Sequence, residues 1–335
     1  MSQYRVPGKG RVDLSRPVTF TFDGKTCAGG RGDTVASALL AQGTHLMGRS
    51  FKYHRPRGAV AAGSEEPNAL VGTRRGPGRF EPNTRATVQE IYEGLQTRSQ
   101  NTYPSLKFDV GAVNDAAYML FSAGFYYKTF MWPRSFWDKV YEPFIRAAAG
   151  LGVAPSEEDP DHYASRNLHC DVLVVGAGPS GIAAARAACA DGRRVVLVDE
   201  HSEPGGTLLS EPQAVIDGLP AWDWLAREIA GLKDAGVKVM TRTTAIAYYH
   251  QNMVGLCEKL TDHLAQLPDD TPPERLWRVR AGQVVLAQGA LEKPLVFHGN
   301  DRPGVMLAGS AQTYLNRYGV LVGTRPVVVT SHDSA

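Results

Sequence analysis

The sequence predicts an α/β chain of two units, a small mixed-sheet β-grasp unit followed by a Rossmann-type unit. Three observations predict it. Residues 17–43 read as strand, tight turn and capped helix. Residues 171–206 read as strand, glycine-rich turn, helix and strand. Between them, residues 101–165 turn rich in aromatics and then in acid and proline. The expected boundaries are 1–100 for the β-grasp unit, 101–165 for a connector and linker, and 166–335 for the Rossmann-type unit.

In the first unit, Pro17 to Phe22 alternates and runs into Asp23-Gly24, the mark of a strand entering a hairpin turn. Asp33-Thr34 then caps a helix over Val35 to Leu40, stopped by Gly43. A basic loop, Gly48 to Gly58 (GRSFKYHRPRG), follows. Hairpin, helix and basic loop in this order suggest the β-grasp arrangement. The connector holds Tyr118, Phe121, Phe125, Tyr126, Tyr127, Phe130, Trp132, Phe136, Trp137 and Tyr141, and ends in the acidic stretch Pro155 to Asp161.

The second unit opens with the most specific signal of the chain. Val172 to Val175 reads as a buried strand, followed at once by Gly176-x-Gly178-x-x-Gly181. Small residues open a helix, and a second strand, Val195 to Val198, ends on Asp199-Glu200. Gly176 allows the tight turn, Gly178 a close backbone approach to a pyrophosphate, and Gly181 close packing of helix on strand. The helix N-terminus offers free N–H groups and a positive dipole end to phosphates. Asp199 or Glu200 can accept from ribose hydroxyls, which disfavours a 2′-phosphate and points to NAD or FAD. The motif does not choose between them, although Gly205-Gly206-Thr207 soon after the acid leans toward FAD.

Further along, Ala221 to Ala235 predicts a helix with Leu225, Ile229 and Leu232 on one face. Strands are expected over Val237 to Ala247, within Trp277 to Ala287, and over Val327 to Thr330. The last has no following helix to cover it, so the sequence reads as incomplete at its C-terminus or completed by another polypeptide.

A net charge of +2 argues for neither a nucleic-acid nor a membrane partner. Four widely spaced cysteines (Cys27, Cys170, Cys189, Cys257) and histidines without ligand spacing argue against a metal site or a disulfide framework. The N-terminus lacks the apolar core of a signal peptide, and no run of apolar residues is long enough to span a bilayer, so a cytoplasmic protein is expected.

Three segments together resemble one family: the Gly48–Gly58 loop, the dinucleotide unit with Val198 to Gly206 (VDEHSEPGG), and Lys293 to Gly304 (KPLVFHGNDRPG). The family is the α subunit of bacterial heterotetrameric sarcosine oxidase, with opine oxidase and amino-acid dehydrogenase subunits as close relatives. The resemblance covers essentially the whole chain but only the N-terminal portion of such a subunit. It implies oxidative demethylation of sarcosine to glycine, with hydrogen peroxide and either formaldehyde or 5,10-methylenetetrahydrofolate. It implies partners of β, γ and δ type, with FAD and FMN in the assembled complex and NAD in this chain. The NAD site it implies uses Gly176, Gly178, Ser180 and Gly181 at the pyrophosphate, Asp199 and Glu200 at the ribose with His201 beside them, Thr207 at the phosphates, and the backbone of Ile246 at the adenine. No catalytic residue is assigned. The N-terminal unit resembles the [2Fe–2S] β-grasp domain of related dehydrogenases, yet Ala61 to Leu70 carries no cysteine, so a ferredoxin-like domain without a cluster is expected.

The basic loop Arg49–Arg57 has three readings: a nucleic-acid contact, which the near-neutral chain disfavours, a solvated face, or a structural loop contacting the nucleotide-binding unit or a partner subunit near a cofactor phosphate. The aromatics of 118–141 read as core or subunit contact ahead of a cation–π cage for a methylamine. Two rivals stand beside the oxidase subunit. One is a non-catalytic module stabilised by NAD. The other is a self-sufficient FAD-dependent reductase, disfavoured by the lack of C-x-x-C.

Overall fold

The computed structural model describes residues 3–121, 124–128, 130–148, 152–268 and 270–331. They form two compact units. The first comprises described residues within Met1–Pro160, Lys293–Tyr314 and Tyr318–Ala335, the second Asp161–Glu292 and Leu315–Arg317.

Unit 1 begins with β1 (Asp13–Phe22) and β2 (Lys25–Arg31), an antiparallel pair joined at Asp23-Gly24. Both turn residues have positive φ, 49° and 74°, as the hairpin turn that matches strand twist requires. Helix α1 (Val35–Ala41) is closed at its start by a reciprocal cap. Thr34 Oγ1 accepts the Ser37 amide at 3.2 Å, and Ser37 Oγ accepts the Thr34 amide at 2.9 Å. Short strands β3 (Gly48–Arg49) and β4 (Pro56–Arg57) bracket the basic loop. Strands β5 (Leu70–Arg74), β6 (Phe80–Arg85) and β7 (Gln96–Ser99) complete a sheet of order β2-β1-β7-β5-β6, with β1 and β7 parallel. Every residue of α1 is buried against a core that includes Phe20, Leu39, Leu40, Val71 and Leu95.

The connector forms short helical turns, α2 (Val113–Ala116), α3 (Phe125–Lys128) and α4 (Glu142–Ala148). Phe125 meets Phe121 and Phe130 edge-on, with ring centroids 5.2 and 5.9 Å apart, while Trp132, Tyr118 and Phe144 stay exposed. The described aromatics of 118–141 are thus half-buried or exposed, touching one another in places, and the expected core is not found among them. The side chains of Tyr126 and Tyr127 lie outside the described residues.

Unit 2 is built on β8 (Ala164–Val175), α5 (Pro179–Ala190), β9 (Val195–Val198), the small β10 (Val215–Ile216) and β11 (Leu219–Pro220) hairpin, and α6 (Ala221–Asp234). Then come β12 (Lys238–Met240), β13 (Thr243–Tyr249), β14 (Met253–Lys259) and β15 (Glu274–Leu286). The sheet order is β12-β9-β8-β15-β14-β13, parallel from β12 to β15 and antiparallel beyond. A parallel sheet must be covered on both faces. Val172, Val174, Val195 and Leu197 pack with α5 and α6, whereas Leu173, Val175, Val196 and Val198 share a core with Trp277 and Val279 of β15 and Val254 and Leu256 of the antiparallel β14.

Three sequence expectations are corrected. The strand expected over Val237–Ala247 breaks into β12 and β13 at Arg242, whose φ is 50°. At the break Arg242 N–H donates to the His201 carbonyl and Thr243 N–H to the Asp199 carbonyl, each at 2.8 Å. The strand expected over Val327–Thr330 does not form: Val327, Val328 and Val329 are exposed and join no ladder among the described residues. The Rossmann-type unit does not run on to residue 335 as a single block. Helix α7 (Ala308–Asn316) places Tyr314, with Tyr318 and Val320 after it, in the unit 1 core. There the Leu307 amide and the Tyr314 hydroxyl donate to the Val60 and Ala61 carbonyls, both at 2.9 Å.

Candidate functional site

Strands β8, β9 and β15 end on the same edge of the unit 2 sheet because they run parallel. From β8 the chain crosses to β9 through α5, and β15 lies on the other side of β8. The loops after β8 therefore sit at the reversal point of strand order, where open α/β sheets place their ligands.

The glycines of the first turn carry distinct tasks. Gly176 has φ 100°, and a Cβ there would collide with the Ala287 carbonyl of the loop after β15. A Cβ on Gly181 would collide with the Gly176 carbonyl, so only glycine lets α5 start this close to β8. Gly178 is different. Its φ is −74°, it is the N-cap of α5 without a side-chain cap, and a Cβ there would meet only Gly206 Cα, at 3.9 Å. Gly206 faces it in turn, its own Cβ position 3.0 Å from Gly178 Cα. The Gly205 amide holds this second loop in place by donating to the Ala177 carbonyl at 2.8 Å. Two glycine backbones thus form a cradle at an uncapped helix N-terminus, a place suited to an anion.

Asp199 at the end of β9 is buried and tied to the turn. Oδ2 accepts the Ala177 amide at 2.7 Å, and Oδ1 accepts the His201 amide at 2.9 Å and His201 Nδ1 at 2.8 Å. Burial pushes the Asp199 carboxyl up, but the His201 ring and amide and the Ala177 amide outweigh it and hold the group below its ordinary range. Glu200 beside it is half-buried.

The structure thus brings Gly176, Gly178, Gly181, Asp199 and His201 together, with Thr207 exposed on the adjoining short helix Gly206–Ser210 and Ser180 exposed on the first turn of α5. Ile246 is placed otherwise. It is 56% exposed, stands at the register shift of β13 between Ala245 and Ala247, and has its Cγ1 3.6 Å from the Cβ position of Gly255. Ala177 escaped the sequence reading because its part is played by a backbone amide. The Arg242–Thr243 bonds escaped it because no glycine or proline marks that break.

The basic loop of unit 1 is neutralised from within. Asp109 accepts from His54 Nδ1 at 2.6 Å and lies 3.7 Å from Arg49 Nε, while Asp301 pairs with Arg55 and Arg57. These bonds tie the loop into unit 1 itself, so it is not a simple solvated face. Among the described residues, no group of three His, Cys, Asp or Glu is placed to hold a metal ion, and no helix is long and apolar enough to cross a membrane.

Comparison with known proteins agrees with this division of the chain. A family of 2Fe-2S iron-sulfur cluster binding domains matches residues 15–102, and a family of FAD dependent oxidoreductases matches residues 171–278. The chain is 56% identical over 335 residues to the sarcosine oxidase subunit alpha of Rhizobium meliloti (strain 1021), covering 100% of this chain and 34% of that one. It is 39% identical over 345 residues to the corresponding subunit of Corynebacterium sp. (strain P-1), covering 100% and 30%. The chain thus spans about a third of the length of these curated relatives, and it is similar to their N-terminal portion. A crystal structure of L-proline dehydrogenase from P. horikoshii shares the fold, with a TM-score of 0.61 at 18% identity over 96% of this chain and 50% of that one. The cluster named by the first family does not fit unit 1. A [2Fe–2S] centre takes four thiolates or two thiolates and two histidines, and residues 15–102 hold one cysteine, Cys27, whose thiol is buried on β2.

Proposed function

We propose, for a chain similar along its whole length to the N-terminal third of sarcosine oxidase α subunits, that it supplies a dinucleotide site and scaffold to a flavin-dependent amine oxidase complex. The proposed substrate is sarcosine, demethylated oxidatively to glycine with hydrogen peroxide and formaldehyde or, with tetrahydrofolate, 5,10-methylenetetrahydrofolate. The proposed partners are β-, γ- and δ-type subunits in the cytoplasm, which carry FAD and FMN. The isolated chain, as one segment of a complex, is expected to be inactive.

The single observation that carries the reading is the cradle at the end of β8. Glycine backbones from two loops approach each other before an uncapped helix, and the acid at the end of β9 is bonded into the same turn. The proposed ligand is NAD, a nicotinamide dinucleotide able to accept or hold a hydride. The amides around Gly176, Gly178, Ser180 and Gly181 receive its pyrophosphate, with Thr207 from the second loop. Asp199 and Glu200 hold the adenosine ribose, with His201 orienting Asp199, and the Ile246 backbone borders the adenine. A 2′-phosphate is disfavoured beside these two acids.

The test is to purify the chain with its partners, denature it, and identify the dinucleotide released by each separated subunit using mass spectrometry and absorbance. NAD from this chain is the expected result. FAD from this chain overturns the NAD assignment and agrees with the name of the matching family. Sarcosine-dependent peroxide formation by the assembled complex, compared with other N-methyl amino acids and opines, tests the substrate.

A further inference from the structure

Residues 59–69 of unit 1 fold around a single carboxylate. Glu66 is 1% exposed. Its Oε2 accepts the Val60 and Ala61 amides, both at 2.7 Å, and its Oε1 accepts the Asn68 and Ala69 amides at 2.7 and 2.9 Å. Both ends of the loop are thereby drawn onto one side chain, each oxygen taking one pair. All four partners are donors, which suits a carboxylate and no other side chain of this size. The loop's carbonyls are answered from outside it. The Leu307 amide donates to Val60, the Tyr314 hydroxyl to Ala61, the Thr87 hydroxyl to Gly63, Arg85 Nε to Glu66 and the Ala86 amide to Ala69. Burial together with the Glu66 charge holds the Tyr314 phenol well above its ordinary range, in the donating form.

In the iron-binding version of this domain, cysteines at C-x₄-C-x₂-C spacing surround an anionic cluster, whose sulfurs take hydrogen bonds. Here the residues leading into β5 have the length for such a run but hold no cysteine. They have instead an anion supplied by the chain. We propose that the Glu66 carboxylate is the internal anion around which residues 59–69 fold, in the role a cysteine-bound cluster has in the iron-binding form, so that unit 1 folds without iron.

The substitution that separates charge from shape is Glu66→Gln. A glutamine of the same length accepts one amide pair with its oxygen and sets its own NH₂ against the other pair. The experiment is hydrogen exchange with mass spectrometry on the full 335-residue chain, wild type and Glu66→Gln, with Val71→Ala as a control for general loosening. Exchange about tenfold or more faster in one amide pair, either 60/61 or 68/69, with the other pair retained, is expected for Glu66→Gln, since buried donors there are left without an acceptor. Val71→Ala is expected to loosen unit 1 without singling out either pair. Wild-type protection of both pairs in Glu66→Gln overturns the proposal. Independently, wild-type chain is refolded with a chelator and, anaerobically, with ferrous iron and sulfide. Equal recovery without stoichiometric iron is expected. Iron-dependent recovery, or one cluster per chain with its visible absorption, overturns the proposal even if Glu66→Gln cannot be purified folded.

Discussion

The loop 59–69 of unit 1 and the turn 176–181 of unit 2 solve the same physical problem in opposite ways. Each gathers backbone amides that need an acceptor. In unit 1 the acceptor is internal, and Glu66 takes four amides while backbone and side-chain donors from outside the loop reach its carbonyls. In unit 2 the internal acid takes only part. Asp199 engages Ala177, and the first turn of α5 is left without a side-chain cap. The difference teaches where a ligand belongs. A loop whose amides are answered by its own chain is architecture, whereas a helix start without a side-chain cap beside two facing glycines is suited to an external anion.

The sharpest way to break this comparison is at a glycine whose need is internal. Gly181→Ala drives a Cβ into the Gly176 carbonyl, and backbone cannot swing aside as a side-chain end can. A loss of about 3 kcal/mol or more is expected from such overpacking, with bound dinucleotide lost as well, read by urea denaturation and by ligand release. Wild-type stability in this variant removes the claim that α5 is seated on the turn through Gly181.

Asp199→Asn comes next. The amide group that replaces one carboxylate oxygen leaves an N–H of Ala177 or His201 without its acceptor, a cost of about 1–3 kcal/mol. The pH dependence has a definite sign. The folded Asp199 carboxyl is held below its ordinary value of 3.8, so its stabilisation is complete above that pH and fades as pH falls through the lower folded value. Subtracting the acid limb of the Asp199→Asn stability curve from that of the wild type is expected to show a contribution confined to that window. A difference that persists unchanged into strong acid assigns the cost to packing instead of charge.

Gly178→Ala has the smaller effect on the fold and the more telling one on binding. Its φ of −74° suits alanine, and the nearest atom to the new Cβ is Gly206 Cα at 3.9 Å. Stability within about 0.5 kcal/mol of wild type is expected, while affinity for the dinucleotide falls about tenfold, the loss of about 1.4 kcal/mol that a methyl group in the pyrophosphate path implies. Measuring both by thermal melting with and without added ligand separates a site from a scaffold, because the bare fold has no reason to refuse the methyl.

Much of both units was legible because the controlling signals are local. Asp23-Gly24, Thr34 before Val35, and Gly176 to Gly181 each act on the few residues beside them, and β9 is found where Val195–Val198 placed it. What was not legible depends on distant partners. Thr241-Arg242-Thr243 looks like continuous strand, but the Arg242 and Thr243 amides bond the distant carbonyls of His201 and Asp199 where the chain turns. Val327–Val329 has strand composition but joins no ladder among the described residues, and Tyr314 belongs to a core assembled largely from residues far earlier in the chain. Glu66 stands beside Glu65 in an ordinary polar stretch, and only the fold makes one of the pair the centre of a loop. Asp199 was visible as an acid at the right distance from Gly181, but its bond to the Ala177 amide has no sequence signature.

The mildest substitution bears on the least anchored part of the proposed site. Ile246 is exposed, stands at the β13 register shift and has its side chain over Gly255. If adenine is bordered by backbone at this position, the side chain is dispensable. Ile246→Ala is then expected to leave stability within about 0.5 kcal/mol and dinucleotide affinity within about twofold, a change of about 0.4 kcal/mol. A tenfold loss of affinity with unchanged stability means that the isoleucine itself covers the adenine. In that case the ligand extends onto the antiparallel strands, and the open region of unit 2 includes the surface where β13 shifts register. The contrast with unit 1 grows sharper under that outcome, because the ligand then takes both the uncapped helix start and an exposed apolar side chain that the fold of unit 2 leaves to solvent.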